Sequence, residues 1–170
     1  KAEKVFDEVF SARNFNTSLL TISNLDGDFY DYELVVVGSN GSNATQWLCY
    51  PNADTTANYR YYKMSGQGSS ANAKASDSTS TPFLSQETND TSFSHLRITG
   101  SSGDERYLEG MWVSSGTVNE RVEKGSIYWK NTADNLSSIQ IKNNASQTSD
   151  AHIMLYRTPK ASGQSSWELM

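Results

Sequence analysis

Cysteine is almost missing from this chain. The 170 residues hold one, Cys49, so no internal disulfide forms and the fold is not a disulfide-stapled scaffold. Cys49 sits between Leu48 and Tyr50 in an apolar run, which reads as a small buried hydrophobe. A catalytic thiol would need a neighbouring base that spacing does not supply. Charge is also scarce. Charged residues are 19% of the chain, the net charge is −5, and no Lys/Arg cluster occurs, which argues against binding to duplex nucleic acid. Arg60 and Lys63 lie among tyrosines, but packing and solvation explain them as well as a stacking platform for single strands does. No apolar run approaches the ~20 residues of a membrane helix, and no signal-peptide pattern opens the chain at Lys1.

Catalytic motifs are lacking too. There is no nucleophile elbow, P-loop, zinc-protease helix or dinucleotide fingerprint. The two histidines, His95 and His152, fall in strand-like segments, where packing or surface roles are the common case. The chain is therefore read as a non-enzyme without cofactor. Asp104, Glu105 and Glu109 are the carboxylates available as glycosidase acids, but nothing in the sequence sets two carboxyls across a cleft.

What is present is Ser, Thr, Asn and Gly in quantity, together with 11% aromatic residues. The first group weakens helices and suits turns and strands; the aromatics supply the large apolar areas that a 36% hydrophobic chain otherwise lacks. The most informative stretch is residues 25–37, LDGDFYDYELVVV. A turn around Gly27 leads into a strand whose Tyr30, Tyr32, Leu34 and Val36 share one face, with Asp31 and Glu33 on the other. Leu20 and Ile22 alternate before it. A run at 46–50 is expected to hairpin back onto that strand after the turn at 38–43, with Pro51 ending it.

Further strands are expected at 58–64, 92–99, 106–113, 126–130, 136–142 and 151–157. Within them Leu108 and Trp112 oppose Tyr107, Met111 and Val113, while Ile153 and Leu155 oppose His152, Met154 and Tyr156. Residues 65–81 hold no large apolar side chain and are expected to form a flexible loop. The organisation expected is an N-terminal arm or first strand at 1–12, one sandwich domain at 13–159, and a polar tail at 160–170. Eight to ten short strands separated by turns every dozen residues predict an all-β antiparallel sandwich of jelly-roll type.

Several residues are candidates for function. Val5, Phe6, Val9 and Phe10 are spaced to pack an arm on a sheet or a neighbouring subunit. Asp26, Asp28 and Asp31 are a weak calcium candidate, since calcium takes several oxygen ligands; turn-capping carboxylates are the alternative. Trp47, Tyr59, Tyr61, Tyr62, Trp112 and Trp129 are candidates for stacking on a glycan.

Three segments carry a resemblance: ISNLDGDFYDYEL at 22–34, YPNADTTANY at 50–59 and HIMLYR at 152–157. In that order they resemble a group of tailed-bacteriophage virion proteins that includes head decoration proteins, head fibres and tail-fibre modules. The resemblance spans roughly residues 6–159 and rests on turns and strand ends. It implies a β-sandwich that assembles as a homotrimer on the virion surface, with the major capsid or other virion proteins as partners. A host-surface glycan is the alternative partner, as for a tail-fibre or secreted carbohydrate-binding module. Nucleic acid and membrane are not expected partners.

Overall fold

Twelve strands and no helix make up the described part of the computed structural model, residues 7–16, 19–39, 45–80, 82–87, 91–115, 120–143 and 150–160. They are β1 (Asp7–Asn16), β2 (Leu19–Ser23), β3 (Tyr30–Ser39), β4 (Thr45–Pro51), β5 (Tyr59–Gln67), β6 (Ser70–Thr79), β7 (Phe83–Glu87), β8 (Thr91–Thr99), β9 (Arg106–Ser114), β10 (Arg121–Trp129), β11 (Ser138–Asn143) and β12 (Asp150–Pro159). An eight-stranded sheet runs in the order β1-β12-β3-β8-β9-β10-β5-β6, and a four-stranded sheet in the order β2-β11-β4-β7. Every neighbouring pair is antiparallel.

This is a jelly roll with two insertions. Strands β1-β12-β3-β8 face β2-β11-β4-β7, and consecutive strands alternate between the two sheets along β1 to β4 and again at β7–β8 and β11–β12. The pairs β5–β6 and β9–β10 interrupt that alternation and add four strands beyond β8. The expected hairpin of β3 with β4 does not form, because that connection crosses from one sheet to the other, as the connection from β2 to β3 also does. Period-two patterning fixes which side of a strand is apolar but carries no information on which strand lies beside it.

The expected loop at 65–81 is corrected as well. Residues 65–67 complete β5 and Ser70–Thr79 is β6, paired with β5 from Tyr59↔Thr79 to Gln67↔Ser70. A hairpin gains its strand from backbone hydrogen bonding to a partner, so an edge strand of Ala, Ser and Asn needs no large side chain of its own. At the other end, Lys160 belongs to the fold and not to a tail: its amine bonds the carbonyl of Gly27, that of Gly100 at 2.7 Å and Ser101 Oγ at 2.9 Å, locking the last strand to two turns.

The core lies between the sheets. From the large sheet come Leu34, Val36, Leu96, Ile98, Leu108, Ile127, Ile153 and Leu155; from the small one Ile22, Trp47, Cys49, Ile139 and Ile141. Leu48 and Tyr50 point to the opposite side of β4 from Cys49, yet they are buried as well. Tyr50 meets Tyr59 of β5 edge-on at 6.3 Å, so the inserted strands curl round and cover the second face of β4.

Candidate functional site

The predicted residues separate by face. Trp47 and Trp112 are 1% and 3% exposed, Tyr59 and Trp129 0%, and Tyr61 5%. These five are core side chains with no ring face for a sugar, and the glycan assignment fails for them. Each sits at the inward parity of its strand, which a count of aromatics does not reveal. Only Tyr62, half-exposed at 50%, faces outward.

The three aspartates do not converge. Asp26 accepts from the Asp28 amide at 3.1 Å and from Asn135 at 2.9 Å. Asp28 accepts from the Ser102 amide and hydroxyl at 2.6 and 2.8 Å. Asp31 binds Arg97 at 2.8 Å and Thr99 at 2.7 Å. Burial pushes the Asp28 carboxyl up, but the Ser102 bonds outweigh it and hold the group below its ordinary range. The calcium candidate is thus corrected to turn capping. Among the described residues no three His, Cys, Asp or Glu side chains are placed to hold a metal.

Of the two forms expected for the N-terminal segment, the first strand is the one present. Residues 7–16 form the edge strand β1, and Val9 and Phe10 pack half-buried against the chain's own core. Val5 and Phe6 lie outside the described residues.

Among the described residues no nucleophile–base pair joins the remaining groups. Burial drives the Cys49 thiol up to about 12, away from a reactive thiolate. His95 faces Glu33 at 3.3 Å on the outer surface, while His152 sits on β12, with β3 between them and its buried Nε2 lacking a hydrogen-bond partner. Glu105 is tied to Arg60 at 2.6 Å, and Glu109 stands apart from it beside Ser126. Buried Glu123 takes the Trp112 indole N–H and the Lys63 amine, the latter at 2.9 Å, with Arg121 3.8 Å away. That arrangement fixes the inner side of the β9–β10–β5 extension.

The outer face of the large sheet carries two features that sequence reasoning missed. The first is an apolar row. Val37↔Phe93, Phe93↔Val113 and Val113↔Val122 are direct cross-strand partners over β3, β8, β9 and β10. Phe93 is 39% exposed, Val122 51% and nearby Met111 42%.

The second is an open trough of about 690 Å³ crossing β9, β10, β5 and β6. Its floor includes Gly110 and Gly125, which face each other across β9 and β10. A methyl group at Gly110 would lie 2.0 Å from the His95 carbonyl oxygen, and one at Gly125 2.4 Å from that of Tyr62. The strands come too close there for any other residue. Tyr62 and Met64 line one side, Ala73 and Ala75 the far side, and Glu109, Lys124 and Ser126 the near side. Tyr62 stands edge-on to Tyr128, with centroids 5.8 Å apart, and Arg60 lies 4.9 Å over the Tyr128 ring. The outward alternation of 62 and 64, 124 and 126, and 109 was legible; that these strands are neighbours was not.

No family model, curated protein or solved structure matches this chain.

Proposed function

We propose that this chain is a structural virion protein of capsid-decoration or head-fibre type, acting by association and not by chemistry. The observation that supports the reading is the apolar row Val37–Phe93–Val113–Val122 on the outer sheet face. With Met111 it exposes on the order of 300 Å² of uncharged side chain, enough to count as a contiguous patch and not as scattered surface residues. Its occupant is a second copy of the chain. A standard interface buries about 800 Å² per partner, and a row of this size is the apolar centre of such a contact, with the surrounding Ser, Thr and Lys as its polar rim. A closed trimer then presents the remaining loops to capsid or other virion proteins at the particle surface.

Native mass measurement on the whole chain at micromolar concentration tests this. A discrete oligomer is expected, a trimer first of all, and Val122→Asp is expected to dissociate it while the far-ultraviolet β signature stays unchanged. A monomer at all concentrations would refute association, and an oligomer indifferent to both Val122→Asp and Phe93→Asp would refute this face as its seat.

A further inference from the structure

We propose that the free edge of β6 is a strand-pairing site, and that the segment it takes is Trp167-Glu168-Leu169 of a second copy. The inference deepens the association reading, on which it rests, by adding a contact separate from the apolar row.

The edge itself is the first observation. β6 ends the large sheet, every residue from Ser70 to Ala75 is exposed, and among the described residues no backbone bond reaches its outer side. A two-residue turn, Gly68-Ser69, joins β5 to β6, with Gly68 at φ 55° and Gln67 paired with Ser70. The closing pair of such a hairpin exchanges both backbone hydrogen bonds. Asn72 and Lys74 therefore turn their N–H and C=O groups towards β5, while Ala71, Ala73 and Ala75 turn theirs outward. The register runs unbroken from Gln67↔Ser70 to Tyr61↔Ser76. At the opposite edge, β1 is interrupted twice, between Glu8 and Phe10 and between Ala12 and Phe15. Such irregularities blunt an edge against further pairing, and β6 has none over residues 70–76.

The trough beside that edge is the second. Ala75 and Ala73 are the cross-strand partners of Tyr62 and Met64, which are 50% and 65% exposed. A strand laid beyond β6 puts the side chains opposite Ala75 and Ala73 on this same outer face. Alanine ends at Cβ, so large apolar side chains there lie across it onto Tyr62 and Met64. On that face Lys124 and Glu109 balance, which suits uncharged side chains.

Charge is the third. Lys74 lies between the two alanines and points to the other face, and among the described residues no ion pair reaches it. The complement of this edge is therefore an acid between two large apolar residues. Residues 167–169, which follow the described part of the chain, read Trp-Glu-Leu. Laid antiparallel on β6, they set Trp167 opposite Ala75, Glu168 opposite Lys74 and Leu169 opposite Ala73. A second copy supplies them. Lys160 is held at the end of β12, six strand positions from β6 and seven from an added strand. At about 4.8 Å per position that is about 34 Å along the sheet, whereas seven extended residues reach about 24 Å.

The test mixes isotope-labelled chain carrying Trp167→Ala with unlabelled parent, so that shifts in the labelled edge arise only from another copy. Amide shifts should centre on Ala71, Ala73 and Ala75, and saturate as unlabelled parent is added. Unlabelled Trp167→Ala should lose the effect about tenfold or more. Ala73→Pro in the labelled chain removes an outward N–H and should weaken pairing to a similar degree. Lys74→Glu, which leaves the strand intact, should weaken it about fivefold, and Glu168→Lys in the unlabelled partner should restore it. Absence of intermolecular shifts at millimolar concentration overturns the proposal, as does failure of the charge exchange to restore pairing. Val122→Asp in both chains should leave these shifts in place, so loss of the apolar-row contact and loss of the edge contact are read separately.

Discussion

Asp54 holds the corner between β4 and β5, and Asp54→Asn is the sharpest test of how that corner works. The carboxylate accepts four hydrogen bonds: the Thr56 amide at 2.9 Å and hydroxyl at 2.5 Å on Oδ1, and Asn58 Nδ2 at 3.0 Å and the Trp129 indole N–H at 2.8 Å on Oδ2. These bonds act against desolvation, the largest single influence, which raises the group; together they bring the carboxyl down to about 2 from 3.8. An asparagine presents one acceptor and one donor. Turned either way, its NH₂ confronts a donor that cannot reverse, the Trp129 indole or the Thr56 amide. Trp129 is 0% exposed, so no solvent replaces the lost partner.

One buried donor left unsatisfied, plus the loss of a charge-assisted bond, costs about 2–3 kcal/mol. In a chain of this size that lowers Tm by about 4–10 °C. The pH dependence has a definite sign. A carboxyl depressed in the folded state contributes stability above its unfolded value, lost as pH falls from about 4 towards 2. The whole shift corresponds to about 2 kcal/mol, and partial exposure reduces this to about 1–2 kcal/mol. Urea unfolding followed by tryptophan fluorescence at pH 7 and pH 2.5 measures both effects. The gap between parent and variant should be widest at pH 7 and narrow at the acid end, and Trp129→Phe should reduce the cost of Asp54→Asn. Parent and variant equal within about 0.5 kcal/mol, or a gap independent of pH, would refute the account.

Other outcomes follow from the same geometry. Gly110→Ala should destabilise by about 2–3 kcal/mol or prevent folding, because the neighbouring backbone has no room to move; a melting curve matching the parent's would contradict the 2.0 Å approach to His95. Glu123→Ala strips the partner from Lys63 and from the buried Trp112 indole and should cost about 3–5 kcal/mol in chemical denaturation, more than Glu109→Ala on the outer face. Lys160→Met leaves two carbonyls without their donor and should lower stability by about 1–3 kcal/mol, seen as early hydrogen exchange at the turns of Gly27 and Gly100. Cys49 should resist iodoacetamide at pH 8 in the folded chain and react only at the rate of unfolding, since its thiol is pushed up to about 12.

The strand faces were legible from the sequence. Tyr32, Leu34 and Val36, Leu108 and Trp112, Ile127 and Trp129, and Ile153 and Leu155 all lie inward, on the sides their alternation assigns. Ser70–Thr79 was not legible, because an edge strand on a supporting neighbour needs no apolar signal of its own. The glycan candidates misled for a related reason. Tryptophan and tyrosine serve a core and a sugar platform equally well, and only burial separates Trp112 from Tyr62.

Alternation along the chain determined that this protein is all-β and which side of most strands is apolar, since the two-residue period is a local property of extended backbone. Tertiary structure alone decided that β2 and β4 leave β3 for the opposite sheet, that β5–β6 and β9–β10 extend β8, and that Tyr62, Glu109, Lys124 and Ser126 share one trough. Those placements depend on pairing between residues far apart in the chain, and a period of two is the same whichever strand lies alongside.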